Sequence, residues 1–216
     1  MRILISKLTV LVFLIIFSSC TKSINYELEK EHIITLKEII YYKNIPFTGE
    51  MLTDNVLYGK TKANYKDGIH HGLSEGYYEN GQLRGKGNYK DGYRDGLFKT
   101  YYENGQLRTK YNYKDGYTDG LFEEYFENGQ LGFKGYNKNG KKDGLFEEYY
   151  ENGWLKFKAN YKKDVRVGLS ESYYENGQLK QKENFKNGAL DGIRYYYYEN
   201  GQLRQKENYK NGKLVD

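Results

Sequence analysis

The 216-residue chain has one cysteine, one proline, two methionines and three histidines. A single cysteine excludes an intrachain disulfide framework, a thiolate zinc cluster and a CxxC redox pair. Three histidines leave little for a His-rich metal site. Neither charge sign dominates: 34 Lys and Arg stand against 29 Asp and Glu, a formal +5. That balance is too mild for a nucleic-acid surface, which concentrates basic residues in a patch, so no nucleic-acid partner is expected. Tyrosine and glycine are abundant instead, 26 and 25 residues, and the aromatic fraction is 17%. Disordered chains are poor in aromatics, so the composition is that of a folded protein. A hydrophobic content of 38% argues against a thick multilayer core.

The N-terminal segment reads as an address. Arg2 and Lys7 lead into the apolar run Leu8 to Phe17, broken only by Thr9. The run is shorter than the roughly 20 residues a membrane-crossing helix needs, and it suits the hydrophobic region of an export signal. Phe17-Ser18-Ser19-Cys20 resembles the lipobox of bacterial lipoproteins, with Phe17 in place of the usual Leu and Ser19 in place of Gly or Ala. The resemblance implies that residues 1–19 are removed and that Cys20 becomes an acylated N-terminus. Thr21 after the cysteine fits outer-membrane sorting. The expected location is the bacterial cell envelope, lipid-anchored at the outer membrane or cell surface. A free cysteine at an ordinary cleavage site is the alternative.

The rest is periodic. Glu-Asn-Gly begins at 79, 103, 127, 151, 175 and 199, always 24 residues apart. Half a period out of step, Lys-Asp-Gly begins at 66, 90 and 114 and Lys-Asn-Gly at 138, 186 and 210; the pattern degrades at Lys162-Lys163-Asp164-Val165. Asn-Gly and Asp-Gly between aromatic runs are strong hairpin signals, because both residues tolerate the positive φ of a type I′ turn. The expected fold is all-β, an elongated single-layer antiparallel meander of hairpins over 41–216. A lipidated tether and N-terminal cap precede it at 20–40, and residues 41–68 read as a worn first copy.

Pairing follows from turn length. A two-residue turn at Asn80-Gly81 makes Tyr77 face Arg84 and Glu75 face Lys86. A four-residue loop at Asp91 to Arg94 and its equivalents then brings Lys110 to Glu123, Lys134 to Glu147 and Lys158 to Glu171. Within hairpins Glu123 meets Lys134, Glu147 meets Lys158 and Glu171 meets Lys182, a ladder of alternating charge that Lys99 and Tyr195 interrupt. The two-residue side-chain period assigns Tyr78, Leu83, Tyr89 and their equivalents to a core stripe. The opposite face holds Leu73, Glu75, Tyr77, Arg84 and Lys86 with their equivalents. It reads either as a solvated face or as a candidate interaction face comprising Tyr77, Arg84, Tyr101, Arg108, Tyr125, Tyr149, Lys156, Tyr173, Lys180, Tyr197 and Arg204. Tyr136-Asn137 and Val165 to Val167 break the pattern and are expected to bend or loosen the sheet.

The motif G-L-x-x-x-Y-Y-E-N-G-Q-L-x-x-K-x-N-Y-K-D-G-x-x-D-G resembles the MORN-variant repeats of bacterial YwqK-type proteins over about residues 57 to 216. The resemblance implies a long, mostly single-layer sheet that presents a surface to a partner, most simply another protein. Because YwqK-type proteins are described as antitoxin components, it also implies a second role, neutralising a cognate toxin. Catalytic signatures are missing: there is no phosphate-binding P-loop, G-x-S-x-G elbow, H-E-x-x-H helix or kinase set. His70-His71 is the one local hint of metal, but His71 stands where Asp95, Asp119, Asp143 and Asp191 stand in later units, so it reads as a turn residue. The reading is a protein without enzyme activity, metal or cofactor, held at a membrane through Cys20.

Overall fold

The computed structural model describes residues 23–36, 38–55 and 59–215. The export signal, Cys20 and Thr21 lie outside them. Among the described residues seventeen strands form one sheet, and from Gly49–Asn55 onward strands pair antiparallel with their neighbours along the chain, Ala189–Leu190 and Gly192–Tyr197 together facing Leu179–Lys186 as one interrupted strand. The run continues through to Lys213–Val215 at the C-terminal edge. The meander expected from the 24-residue period is therefore present.

The two turns exchange the roles assigned to them. At Glu-Asn-Gly the Gly81 amide donates to the Tyr78 carbonyl at 3.0 Å, and the Tyr78 amide donates to the Gln82 carbonyl at 2.8 Å. Gly81 has φ +84 while Asn80 is not left-handed. This is a three-residue turn ending in a glycine bulge, not the two-residue turn expected. Glu75 still pairs with Lys86, but Tyr77 pairs with Leu83, leaving Arg84 as an extra residue. The two-residue turns lie at Asp91-Gly92, where both residues have positive φ (50 and 86) and Lys90 pairs with Tyr93. Register then shifts from Asn88↔Asp95 to Lys86↔Lys99, around Gly96 at φ +80. A two-residue turn plus this bulge displaces the strand as far as a four-residue loop would, so the expected ladder partners meet. Lys110 pairs with Glu123, Lys134 with Glu147 and Lys158 with Glu171.

Neither expected break loosens the sheet. Lys163 and Asp164 adopt the same left-handed pair (φ 50 and 68), Lys162 pairs with Val165, and the Asp164 carboxylate accepts from the Lys142 amide at 2.8 Å. At Tyr136-Asn137 two residues have exchanged faces: Tyr136 is half exposed, and the Asn137 side chain donates to the Thr118 hydroxyl at 2.9 Å.

A compact cap covers the N-terminal end. Ser23–Asn25 pairs in parallel with Gly49–Asn55, protecting an edge that would otherwise recruit another chain. The short helix Tyr26–Glu29 leads toward a three-stranded sheet of Ile33–Leu36, Ile39–Tyr42 and Ile45–Pro46. Ile24, Tyr42, Phe47 and Met51 form its buried cluster, against which Ile33, Ile40 and Tyr65 pack. Backbone bonds from Ile40 N to Gly68 O and from Gly68 N to Phe47 O tie cap to repeats. Among the described residues no helix is long and apolar enough to cross a membrane.

Candidate interaction surface

The sheet has two chemically distinct faces. On the first, the ladder face, Lys110–Glu123, Lys134–Glu147 and Lys158–Glu171 are each 2.7 Å apart, and Lys62–Glu50 is 2.9 Å apart. Cross-strand pairs of opposite charge contribute roughly 0.2–1 kcal/mol each. Donating to these glutamates raises the pKa of Lys110, Lys134 and Lys158 above the ordinary lysine value. Burial pushes Glu171 up, but hydrogen bonds from Lys158 and Tyr173 outweigh it and hold the carboxyl below its usual range. Tyr77 donates to Glu75 at 2.9 Å and Tyr173 to Glu171 at 2.8 Å. Lys134 and Lys158 also lie over the Tyr149 and Tyr173 rings. The polar groups of this face largely satisfy one another.

The second, the groove face, carries the real core. His70, Tyr89, Phe98 and Tyr113 continue through Tyr111, Phe122, Phe146 and Tyr161 as an unbroken chain of ring contacts. Phe146 is 1% exposed and Phe122 5%. A Cβ on Gly87 or Gly135 would strike the Phe98 or Phe146 ring, so these glycines seat the phenylalanines facing them. That small-opposite-large pairing was the sequence signal for a core that the Tyr-Leu-Tyr stripe missed.

The candidate residues do not share a face. Tyr77, Tyr101, Tyr125, Tyr149, Tyr173 and Tyr197 belong to the ladder face. Arg84 extends over Gly76, whose Cβ would lie 3.2 Å from the guanidinium, and Arg108, Lys156, Lys180 and Arg204 lie over the rings of Tyr102, Tyr150, Tyr174 and Tyr198 on the groove face. The cause is the extra residue at each Glu-Asn-Gly turn, since a one-residue slip exchanges faces. For the same reason Leu83 and its equivalents pair with the ladder tyrosines rather than joining Tyr78 and Tyr89.

The recurring polar motif is structural. Asn128 accepts from the Gln130 amide at 2.9 Å and donates to the Glu151 carbonyl of the next repeat at 3.1 Å; Asn104, Asn152 and Asn176 do the same. Tyr78, Tyr102, Tyr150 and Tyr174 donate to the backbone one repeat on. The Asp119 carboxylate accepts from the Asn139 amide of the next turn at 3.0 Å. The Asp91 amide lies 3.4 Å from the His71 Nδ1, in the equivalent arrangement, so His71 occupies the aspartate's structural place. Among the described residues no group of three His, Cys, Asp or Glu could hold a metal ion.

Open hollows lie along the groove face, and two of them flank its middle units. One, of about 640 Å³, is lined by Ser74, Gly76, Tyr78, Arg84, Gly85, Phe98, Thr100 and Arg108 among others. The other, of about 670 Å³, is lined by Tyr102, Phe126, Phe133, Tyr150 and Lys156 with the carboxylates Glu124 and Glu148.

The MORN repeat variant family matches residues 71–91, 94–115, 118–131, 142–163, 166–187 and 190–211, more than half of the chain. The chain belongs to the MORN repeat variant family. No curated protein matches it. In this MORN repeat protein the third match stops at 131, just before the Tyr136-Asn137 exchange, yet strand pairing continues through that unit. The matched segments contain the six Glu-Asn-Gly turns and the stacking tyrosines Tyr78, Tyr102, Tyr150, Tyr174 and Tyr198. Some residues lining the hollows vary from unit to unit: Gly76 and Gly85 stand where a later unit has Glu124 and Phe133.

Proposed function

We propose that this protein is a non-catalytic interaction scaffold of the bacterial envelope, anchored through acylated Cys20 and presenting its groove face to a protein partner. The observation that carries the reading is the division of labour between residues. The repeated polar groups serve turns, ladder and backbone, whereas each hollow sets side chains that change from unit to unit, such as Gly76 and Gly85 in one and Glu124 and Phe133 in the other, among the recurring tyrosines. A catalytic constellation would be singular, and the carboxylates of this chain recur in structural places. The lipobox-like Phe17 to Cys20 segment supports the anchor, since acylation can hold a protein at a bilayer without a spanning helix.

Crosslinking with mass spectrometry in the native cell, using parent and Cys20→Ser chains, tests this. The expected result is a specific protein crosslinked to groove-face residues, with the Cys20→Ser chain released from membranes. A Cys20→Ser chain that stays membrane-bound contradicts the anchor, and an absence of any crosslinked protein contradicts the scaffold. The likeness to YwqK-type repeats supports a second reading, an immunity protein that neutralises a toxin in the envelope. Rescue of cells expressing a toxin encoded beside this gene would establish it.

A further inference from the structure

The hollow over Gly76 and Gly85 has an unbalanced charge. Arg84, Arg94 and Arg108 line it, and among the described residues none of the three makes an ion pair. The carboxylate in its lining, Glu75, is engaged on the ladder face by Tyr77 at 2.9 Å. Arg94 is committed to the core, donating to the Tyr113 hydroxyl at 3.0 Å and lying 5.2 Å from the Phe98 ring centre. Arg84 and Arg108 remain, one over glycine and one over the Tyr102 ring.

The floor is shallow by residue choice. Gly76 and Gly85 do not have the positive φ that would demand glycine, and the units that follow place Thr100 and Thr109 at their positions. Those two hydroxyls are 2.6 Å apart. At Gly76 the missing side chain leaves room for the Arg84 guanidinium, 3.2 Å from where a Cβ would stand, and Gly85 sits against the Lys99 carbonyl and the Thr100 methyl. The aromatic faces beneath are occupied, since Tyr89 is stacked by His70 at 3.7 Å and Phe98 meets Tyr89 edge-on. The two guanidinium groups without an ionic partner are the charge this hollow offers a ligand.

Spacing narrows the ligand. Arg84 and Arg108 lie on strands two steps apart in the sheet, about 9.6 Å at about 4.8 Å per step. A polyproline II chain presents every third side chain on one side, about 9.3 Å apart. Guanidinium groups bind carboxylates by parallel paired hydrogen bonds.

We propose that this hollow binds an extended acidic segment of a partner polypeptide, its carboxylates three residues apart meeting Arg84 and Arg108. This rests on the scaffold reading and names the partner's chemistry. The test is binding of the purified full chain to a synthetic peptide of Glu-Pro-Pro triplets, with a Lys-Pro-Pro peptide, inorganic phosphate and phosphatidylglycerol vesicles as comparison probes. The expected result is binding of the acidic peptide alone, weakened by salt and about tenfold weaker in Arg84→Gln/Arg108→Gln, where two charge-assisted contacts are lost. A second variant, Arg84→Lys/Arg108→Lys, keeps charge and stems and should weaken binding less than the glutamine pair. Circular dichroism confirms that each variant retains the parent's β-structure. Equal binding by parent and both variants overturns the site, and preference for phosphate or vesicles overturns the polypeptide assignment. A native partner still crosslinked to a chain that ignores the acidic peptide would sink this inference and leave the scaffold standing. Absence of any native partner would sink the scaffold itself.

Discussion

Positions 94, 118, 142 and 166 hold Arg, Thr, Lys and Arg, and each meets the residue 19 further on. Arg94 donates to Tyr113, Lys142 lies 5.0 Å from the Tyr161 ring centre, and Arg166 lies 4.7 Å from that of Phe185. Thr118 instead receives a hydrogen bond from Asn137, so cation and ring have been replaced together. Thr118→Arg combined with Asn137→Tyr should restore the pair, with a coupling of about 0.5–1 kcal/mol in a double-mutant unfolding cycle; additive single effects would contradict the pairing. His70 takes the same place beside Tyr89, where burial lowers its pKa from 6.5 to about 4. Between those values the unfolded chain takes a proton that the folded chain refuses. The stability contributed by the neutral ring is whole above pH 6.5 and is lost as pH falls toward about 4. His70→Phe keeps a ring and removes the titration, so its Tm should fall less steeply than the parent's across that window. Parallel pH profiles would count against a buried neutral imidazole. The Thr118–Asn137 exchange was visible in sequence only as a misplaced tyrosine, because its partner lies on the neighbouring strand.

The hairpin shows most plainly what local sequence could and could not reveal. Asn-Gly and Asp-Gly both announce turns, and the turns are there, but either dipeptide can close a two-residue turn. What decides is the side chain of Asn80, which accepts from the Gln82 amide at 2.9 Å and leaves only Gly81 left-handed. The charge ladder was legible because it depends on the total displacement between strands, not on how turn and bulge divide it. The placement of Arg84 depends on that division and was not. Asn128→Ala removes both the Gln130 cap and the bond to Glu151. It should cost about 1–2 kcal/mol in unfolding free energy, and a cost near zero would show that the asparagine ladder is incidental.

As a whole the molecule is a stack in which strands contact chiefly their neighbours, so stability is close to a sum over units and interfaces. The 24-residue spacing of the Glu-Asn-Gly sites then gives a sharp contrast. Deleting residues 152–175 joins equivalent positions and should leave β-sheet circular dichroism intact with a modest fall in Tm. Removing one residue fewer exchanges the faces of every later strand and should yield a chain that aggregates. Similar behaviour of the two deletions would contradict the face assignment. The repeats supply paired reporters for the two faces: Tyr77 and Tyr78, Tyr101 and Tyr102, Tyr149 and Tyr150, Tyr173 and Tyr174, Tyr197 and Tyr198 each place one ring on either side. Hydroxyl-radical footprinting of the free and partner-bound chain reads both members at once. The expected result is protection of the second member at the bound units with the first unchanged; protection of Tyr77, Tyr101 and their equivalents instead would put the partner on the ladder face and overturn the groove-face assignment.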